Sequence, residues 1–135
     1  MSRPPRTITD DSAGSAAIEF AIAAPLFLTL VFGIIQFGTI ALARAGLEQA
    51  VEVGARYATL YPRPSDASIK SRVLSSQYGL DSSKITGPTI VYGNKNGMPY
   101  AEISMGYAAP LNFVFYKADH IQLTYKRLVY VAPVA

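Results

Sequence analysis

The chain has 135 residues, half of them hydrophobic, with a net charge of +3 and no cysteine. That length allows one small domain and one membrane span. The basic residues are scattered, which gives no support to nucleic-acid binding, and without cysteine there is neither a disulfide framework nor a cysteine-based metal site.

Residues 1–14 are polar and proline-containing, with no apolar periodicity, and Arg3 and Arg6 balance Asp10 and Asp11. They read as a disordered leader. From Phe20 to Ala43 no residue carries a charge, and the strongly polar side chains are only Thr29, Gln36 and Thr39. A helix of that length spans about 36 Å, enough for a bilayer core of about 30 Å. It is too long for the apolar region of a secretory signal peptide, about 7 to 15 residues, and no small-x-small cleavage site follows it. Residues 15–43 are therefore expected to form a transmembrane helix in contact with lipid. Pro25 has no amide donor and clashes with the preceding turn, so a kink or local opening is expected near Ala21 to Pro25. Gly33, Gly38, Ala41 and Ala43 allow close helix approach without forming a Gly-x-x-x-Gly pair.

Residues 44–62 are expected to continue the helix into water. Arg44 and Glu48, and Glu52 and Arg56, are each four apart, as solvent-facing pairs are. Leu47, Val51, Ala55 and Ala58 form one stripe, and the helix should stop before Pro62. Residues 63–135 form the head. Ser65 or Asp66 can cap a second helix running to about Tyr78, with Ile69, Val73 and Leu74 as its apolar face and Gly79 as its stop. Lys84 to Tyr92 reads as a strand, residues 93–97 as a turn, and Tyr100 to Ala108 as the return strand of a hairpin. Pro110 interrupts, and the apolar stretch 111–116 is either a core strand or an exposed patch needing a partner. A last strand runs from His120 to Val131. The fold class is α+β: a long N-terminal helix extending into a small head with an antiparallel sheet of three or four strands.

The tyrosines concentrate in the head, where they suit either sheet packing or a subunit contact surface. His120, the single histidine, reads as a surface or strand-end residue rather than a metal ligand. No phosphate loop, nucleophile elbow or zinc-ligand spacing is present, so the chain is not expected to be an enzyme or to need a cofactor or metal.

One acid stands out. Glu19 sits at the edge of the apolar run, where a carboxylate is costly in lipid and marks a functional position unless it simply lies at headgroup level near the positive end of the helix. Gly14 lies five residues before it and Phe20 directly after. This arrangement resembles the class III leader of type IV pilins, and the run from Ser15 through Glu19, Phe20 and Pro25 to Phe27 is similar to the TadE-like minor pseudopilins of Flp/Tad type IVc pili. Residues 32–38 and 54–58 also look like that family. Gln36 departs from its pattern, since an acid is more usual there.

The resemblance implies cleavage between Gly14 and Ser15 by a prepilin peptidase, a membrane aspartyl enzyme. It implies that Glu19, with Phe20, serves assembly by pairing with the new N-terminal amine of a neighbouring subunit. Such a buried pair costs roughly 3 to 5 kcal/mol to break. The implied partners are the peptidase, other pilin and pseudopilin subunits and the inner-membrane assembly platform. Arg3 and Arg6 on one side and Arg44 and Arg56 on the other leave the positive-inside rule undecided. A cytoplasmic N-terminus and a periplasmic head, at the bacterial inner membrane or in the pilus, are implied by the resemblance. Two alternatives stand beside it: a pseudopilin of a type II secretion system, and an unprocessed, single-pass, membrane-anchored periplasmic binding domain.

Overall fold

The computed structural model describes residues 12–112 and 117–133. Helix α1 (Ser12–Ala58) is followed by α2 (Asp66–Ser75), a short 3-10 turn (Ser82–Lys84) and strands β1 (Ile85–Lys95), β2 (Met98–Asn112) and β3 (Lys117–Tyr130). The strands form one antiparallel sheet in the order β1-β2-β3, within the expected three or four.

Helix α1 starts at Ser12, so residues 12–14 are helical rather than disordered; residues 1–11 lie outside the described residues. The helix is continuous through Pro25. Thr29 Oγ1 donates to Pro25 O at 2.8 Å, a back-bond of the kind that Ser and Thr make one turn along a helix. The far end closes earlier than the proline alone predicts. Thr59 and Leu60 donate to the carbonyls three residues back, and Thr59 Oγ1 also donates to Arg56 O at 2.7 Å. These tighter bonds end the α-helix at Ala58, ahead of residues 59–62.

Along α1 the environment changes sharply. Phe20, Ile22, Leu26, Phe27, Leu30, Ile34 and Phe37 all point outward, exposed. Past Ala43 the stripe Leu47, Val51, Ala55 and Ala58, joined by Ala50, is fully buried. It packs on Ile69 and Val73 of α2 and on Ala101, Ile103, Met105 and Tyr107 of β2. The alternation along β2 thus sorts its odd positions into the core, as a half-buried strand requires.

Helix α2 has Ser65 as its cap, with Oγ accepting from the Ser68 amide at 3.2 Å. It ends at Ser75, short of Tyr78. Ser75 Oγ donates to Arg72 O at 3.0 Å and the Ser76 amide donates to Val73 O, so the last turn is closed by side-chain and i→i−3 bonds. Tyr78 instead lies in the connecting loop with its carbonyl laid against Gly46 of α1, and Gly79 follows with φ +69°. Leu74, expected on the apolar face, is 41% exposed, whereas Ile69 and Val73 are buried.

The hairpin is tighter than its glycine-rich sequence predicts. Lys95 pairs with Met98, leaving a two-residue loop of Asn96 (φ 55°) and Gly97 (φ 79°), the left-handed pair that a type I′ turn demands. Residues 93–95 are therefore strand. Pro88 falls where the β1–β2 register shifts, between Thr86 and Thr89, the kind of place a strand tolerates proline. Pro110 does not end β2. It stays paired with His120, and the irregularity comes one step later, between Pro110 and Leu111. Of the apolar stretch 111–116, Leu111 and Asn112 belong to β2 and residues 113–116 lie outside the described residues.

Candidate functional site

Gly14, Ser15, Glu19 and Phe20 occupy the first turns of α1, and all four are exposed. Ser15 Oγ donates to Glu19 Oε1 at 3.3 Å, one turn apart. The bond between Gly14 and Ser15 lies within the opening turns of the helix, where helices fray most readily. Glu19 and Phe20 present an acid and an aromatic ring side by side at the start of the apolar surface, and the Phe20 ring is 72% exposed. Neither group is engaged by the described residues of the head. Pro25 lies one turn further on, beside exposed Leu26 and Phe27.

A second feature sits where α1 leaves its apolar stretch. Gln36 is buried, and its Nε2 donates to Pro110 O at 2.8 Å, tying the apolar helix to the last part of β2. Thr39 Oγ1 is satisfied locally by Gln36 O at 2.8 Å. An apolar cleft lies just above, with Ile40 and Ala43 on one wall and Tyr107 and Ala109 on the other. Sequence reasoning noted Gln36 only as a departure from a family pattern. The available signal was stronger: a carboxamide inside an apolar run is costly unless it finds a partner. The partner is a carbonyl, which accepts from an amide but not from an ionised acid.

The third feature is on the head. Arg44 and Glu48 pair as expected, Nε to Oε1 at 2.9 Å, on the exposed side of α1. Glu52 does not follow the expected spacing to Arg56. Its Oε1 accepts from Tyr125 Oη at 2.8 Å and lies 3.4 Å from Arg127 Nε, both on β3. The reason is position: Glu52 lies beside Val51 and Ala55 on the flank facing the sheet, so β3 reaches it. The hydrogen bond to Glu52, and secondarily burial, raise the Tyr125 phenol above its ordinary value of 10.0. Tyr92 is raised too, mainly by burial and then by donating to Asp66 Oδ1 at 2.6 Å, while the Arg63 guanidinium stacks 3.9 Å from its ring centroid. These contacts fasten the loop before α2 and the Glu52 flank of α1 to the sheet. Among the described residues, no three His, Asp or Glu side chains gather as metal ligands. Of the tyrosines, Tyr107 is buried in the sheet core, whereas Tyr61 and Tyr78 stand exposed.

Helix α1 is long and apolar enough to cross a bilayer and is continuous with the packing helix of a small α+β head, an arrangement that points to a membrane anchor. Residues 14–56 match the family model described as TadE-like protein, so the matched stretch opens on Gly14 and takes in nearly all of α1. That match supports an association with Tad pili in general. No curated protein and no solved structure matches the chain.

Proposed function

We propose that the protein is a minor pseudopilin acting in assembly of a Flp/Tad type IVc pilus, processed between Gly14 and Ser15 by a prepilin peptidase. The observation that carries this reading is the TadE-like match beginning at Gly14, together with the exposure of Gly14, Ser15, Glu19 and Phe20 on the first turns of α1. Processing frees an α-amino group at Ser15, and such a group ordinarily titrates near pH ~8. That amine is largely cationic at neutral pH, and Glu19 of an adjacent subunit is the acid to meet it. Pilin subunits and the inner-membrane assembly platform are the partners, with the head on the periplasmic side. The protein's own role is structural rather than enzymatic.

The test is the intact mass and N-terminal sequence of the chain from its native membrane, beside a Gly14→Val variant. A mature chain starting at Ser15, replaced in the variant by the full-length chain, is the expected result. A chain starting at Met1 or Ser2 in both sinks the processing and leaves a plain membrane anchor. Glu19→Ala should still be cut but should lose pilus assembly, read as surface pili per cell.

A further inference from the structure

The two edges of the sheet differ. Strand β1 is interrupted by Pro88, which has no amide to offer, and by the register shift between Thr86 and Thr89. Strand β3 pairs with β2 without a break from His120 to Tyr130 and holds no proline. The Val131 amide donates to Pro99 O at 3.1 Å, so the odd positions of β3 aim their amides and carbonyls at β2. His120, Gln122, Thr124, Lys126, Leu128 and Tyr130 aim theirs outward, and among the described residues no further strand meets them. Such a row of backbone groups is a template for another strand. A groove of about 230 Å³ adjoins it, between Arg44, Leu47 and Glu48 of α1 and residues 122–125 of β3. Because those β3 residues are consecutive, the wall they form is the edge of the strand rather than one of its faces. An added strand would send alternate side chains into this groove, past the partly buried Leu123. Ile121, Leu128 and Tyr130 expose apolar surface along the same strand.

We infer that the edge of β3 takes an extended segment of another protein, with acidic and apolar side chains, as a fourth strand of the sheet. The charged side chains from His120 to Tyr130 are Lys126 and Arg127, both more than half exposed, with no acid among them. Their acids, Glu102 at 3.8 Å and Glu52 at 3.4 Å, belong to β2 and α1, so the edge itself presents positive charge. A second copy of this chain does not fit. Residues 122–125 lie beside Arg44 to Glu48, and Tyr125 and Arg127 beside Glu52, so β3 climbs in the direction of α1. Two β3 edges paired antiparallel would point their α1 helices in opposite directions, and both could not enter one membrane. Copies standing side by side would bring β3 against the neighbour's β1, where Pro88 and the register shift break the ladder. The exclusion of a second copy rests on α1 as the anchor; the proposed processing at Gly14 is not needed.

The test reads hydrogen exchange amide by amide in the full chain, purified in detergent and in its native membranes. In detergent, a monomer should exchange freely at Gln122, Thr124 and Lys126 and slowly at Leu123, Tyr125 and Arg127. In native membranes the first three should slow by at least about tenfold while the others hold. Lys126→Gln, which leaves the ladder to β2 intact, should undo at least about threefold of that slowing at Gln122 and Thr124. Thr124→Pro removes an outward amide that β2 does not use, and should return Gln122 and Lys126 to free exchange. Free exchange at Gln122, Thr124 and Lys126 in native membranes overturns the inference. Slow exchange there in a detergent dimer makes the occupant a second copy, and in a detergent monomer means that the edge is not open; each overturns it. Slowing undiminished by Lys126→Gln removes the acidic partner, and slowing that survives Thr124→Pro means a cover other than a strand; these overturn it too. If the proline variant also loosens Leu123 and Tyr125, the head itself is disturbed and the lysine variant decides. A chain in those membranes that starts at Met1 and still shows the slowing leaves the inference standing without the pilin reading.

Discussion

Tyr125 and Glu52 show how one contact ties two distant parts of the chain. The phenol donates to the carboxylate at 2.8 Å across 73 positions of sequence, with Arg127 alongside. Because the bond favours the protonated phenol, its pKa in the folded protein lies above the unfolded value. A raised acid of this kind contributes stability that is fully present below the unfolded pKa of about 10 and is lost as pH rises through the higher folded value. Tyr125→Phe should therefore lower stability at neutral pH by about 1 kcal/mol, the contact being partly solvated. It should also flatten the alkaline limb of unfolding. Denaturant titrations in detergent at neutral and alkaline pH check both, and an unchanged alkaline limb in the variant would assign that limb to other groups. The contact was invisible in sequence because helical spacing offers Glu52 a nearer cation, Arg56. Only the burial of Val51 and Ala55 turns that flank of the helix toward β3.

At the scale of elements, the two helices meet where α1 has no side chain. A Cβ on Gly54 would overlap Val73 Cγ2, and one on Gly46 would overlap the Tyr78 carbonyl oxygen. Gly38, by contrast, faces open space. Glycine in a helix costs up to about 1 kcal/mol relative to alanine, so the substitution would help where nothing is in the way. At Gly54 the overlap wins. Gly54→Ala should destabilise the head by about 1–3 kcal/mol through overpacking, whereas Gly38→Ala should be neutral or slightly stabilising. Thermal unfolding of the two variants in the same detergent makes the comparison, and equal melting temperatures would refute close α1–α2 packing. The elements themselves were largely legible. The uncharged run to Ala43, the alternation at Ala101, Ile103, Met105 and Tyr107, and the Asn96-Gly97 turn each carry a period or backbone demand that sequence displays. The ends of elements were less so. The stop of α2 at Ser75 is set by serine back-bonds and by Tyr78 docking on Gly46, a tertiary contact with no local signal.

For the whole molecule, the joint between anchor and head is Gln36. Glu19 could be singled out from sequence because an acid at the edge of an apolar run is expensive anywhere in the fold. Gln36 needed the structure, because what matters is the carbonyl it meets, contributed by a strand more than seventy positions away. Replacing it by leucine removes the donor and leaves the Pro110 carbonyl without it in an apolar setting, at a cost of about 1–3 kcal/mol. Gln36→Leu should speed hydrogen exchange at the Ala109 and Leu111 amides and leave Ile103, deep in the sheet, protected. Unchanged exchange at Ala109 and Leu111 would mean that the strand end holds its place without the glutamine. The N-terminal residues Gly14, Ser15, Glu19 and Phe20 make no comparable tie, which leaves their exposed surface available to other chains.

Helix α1 runs unbroken from its exposed apolar stretch into the head core, with no linker between them. Each residue of an α-helix advances the chain by about 1.5 Å and turns it by about 100°. The number of residues between Glu19 and the buried stripe at Leu47 therefore fixes the compass bearing of the sheet relative to the acid, like the angle between two teeth cut on one shaft. Adding or removing a single apolar residue in that interval would barely alter the height of the head. It would swing the sheet about a quarter of a turn, so length in this stretch is a specification of direction.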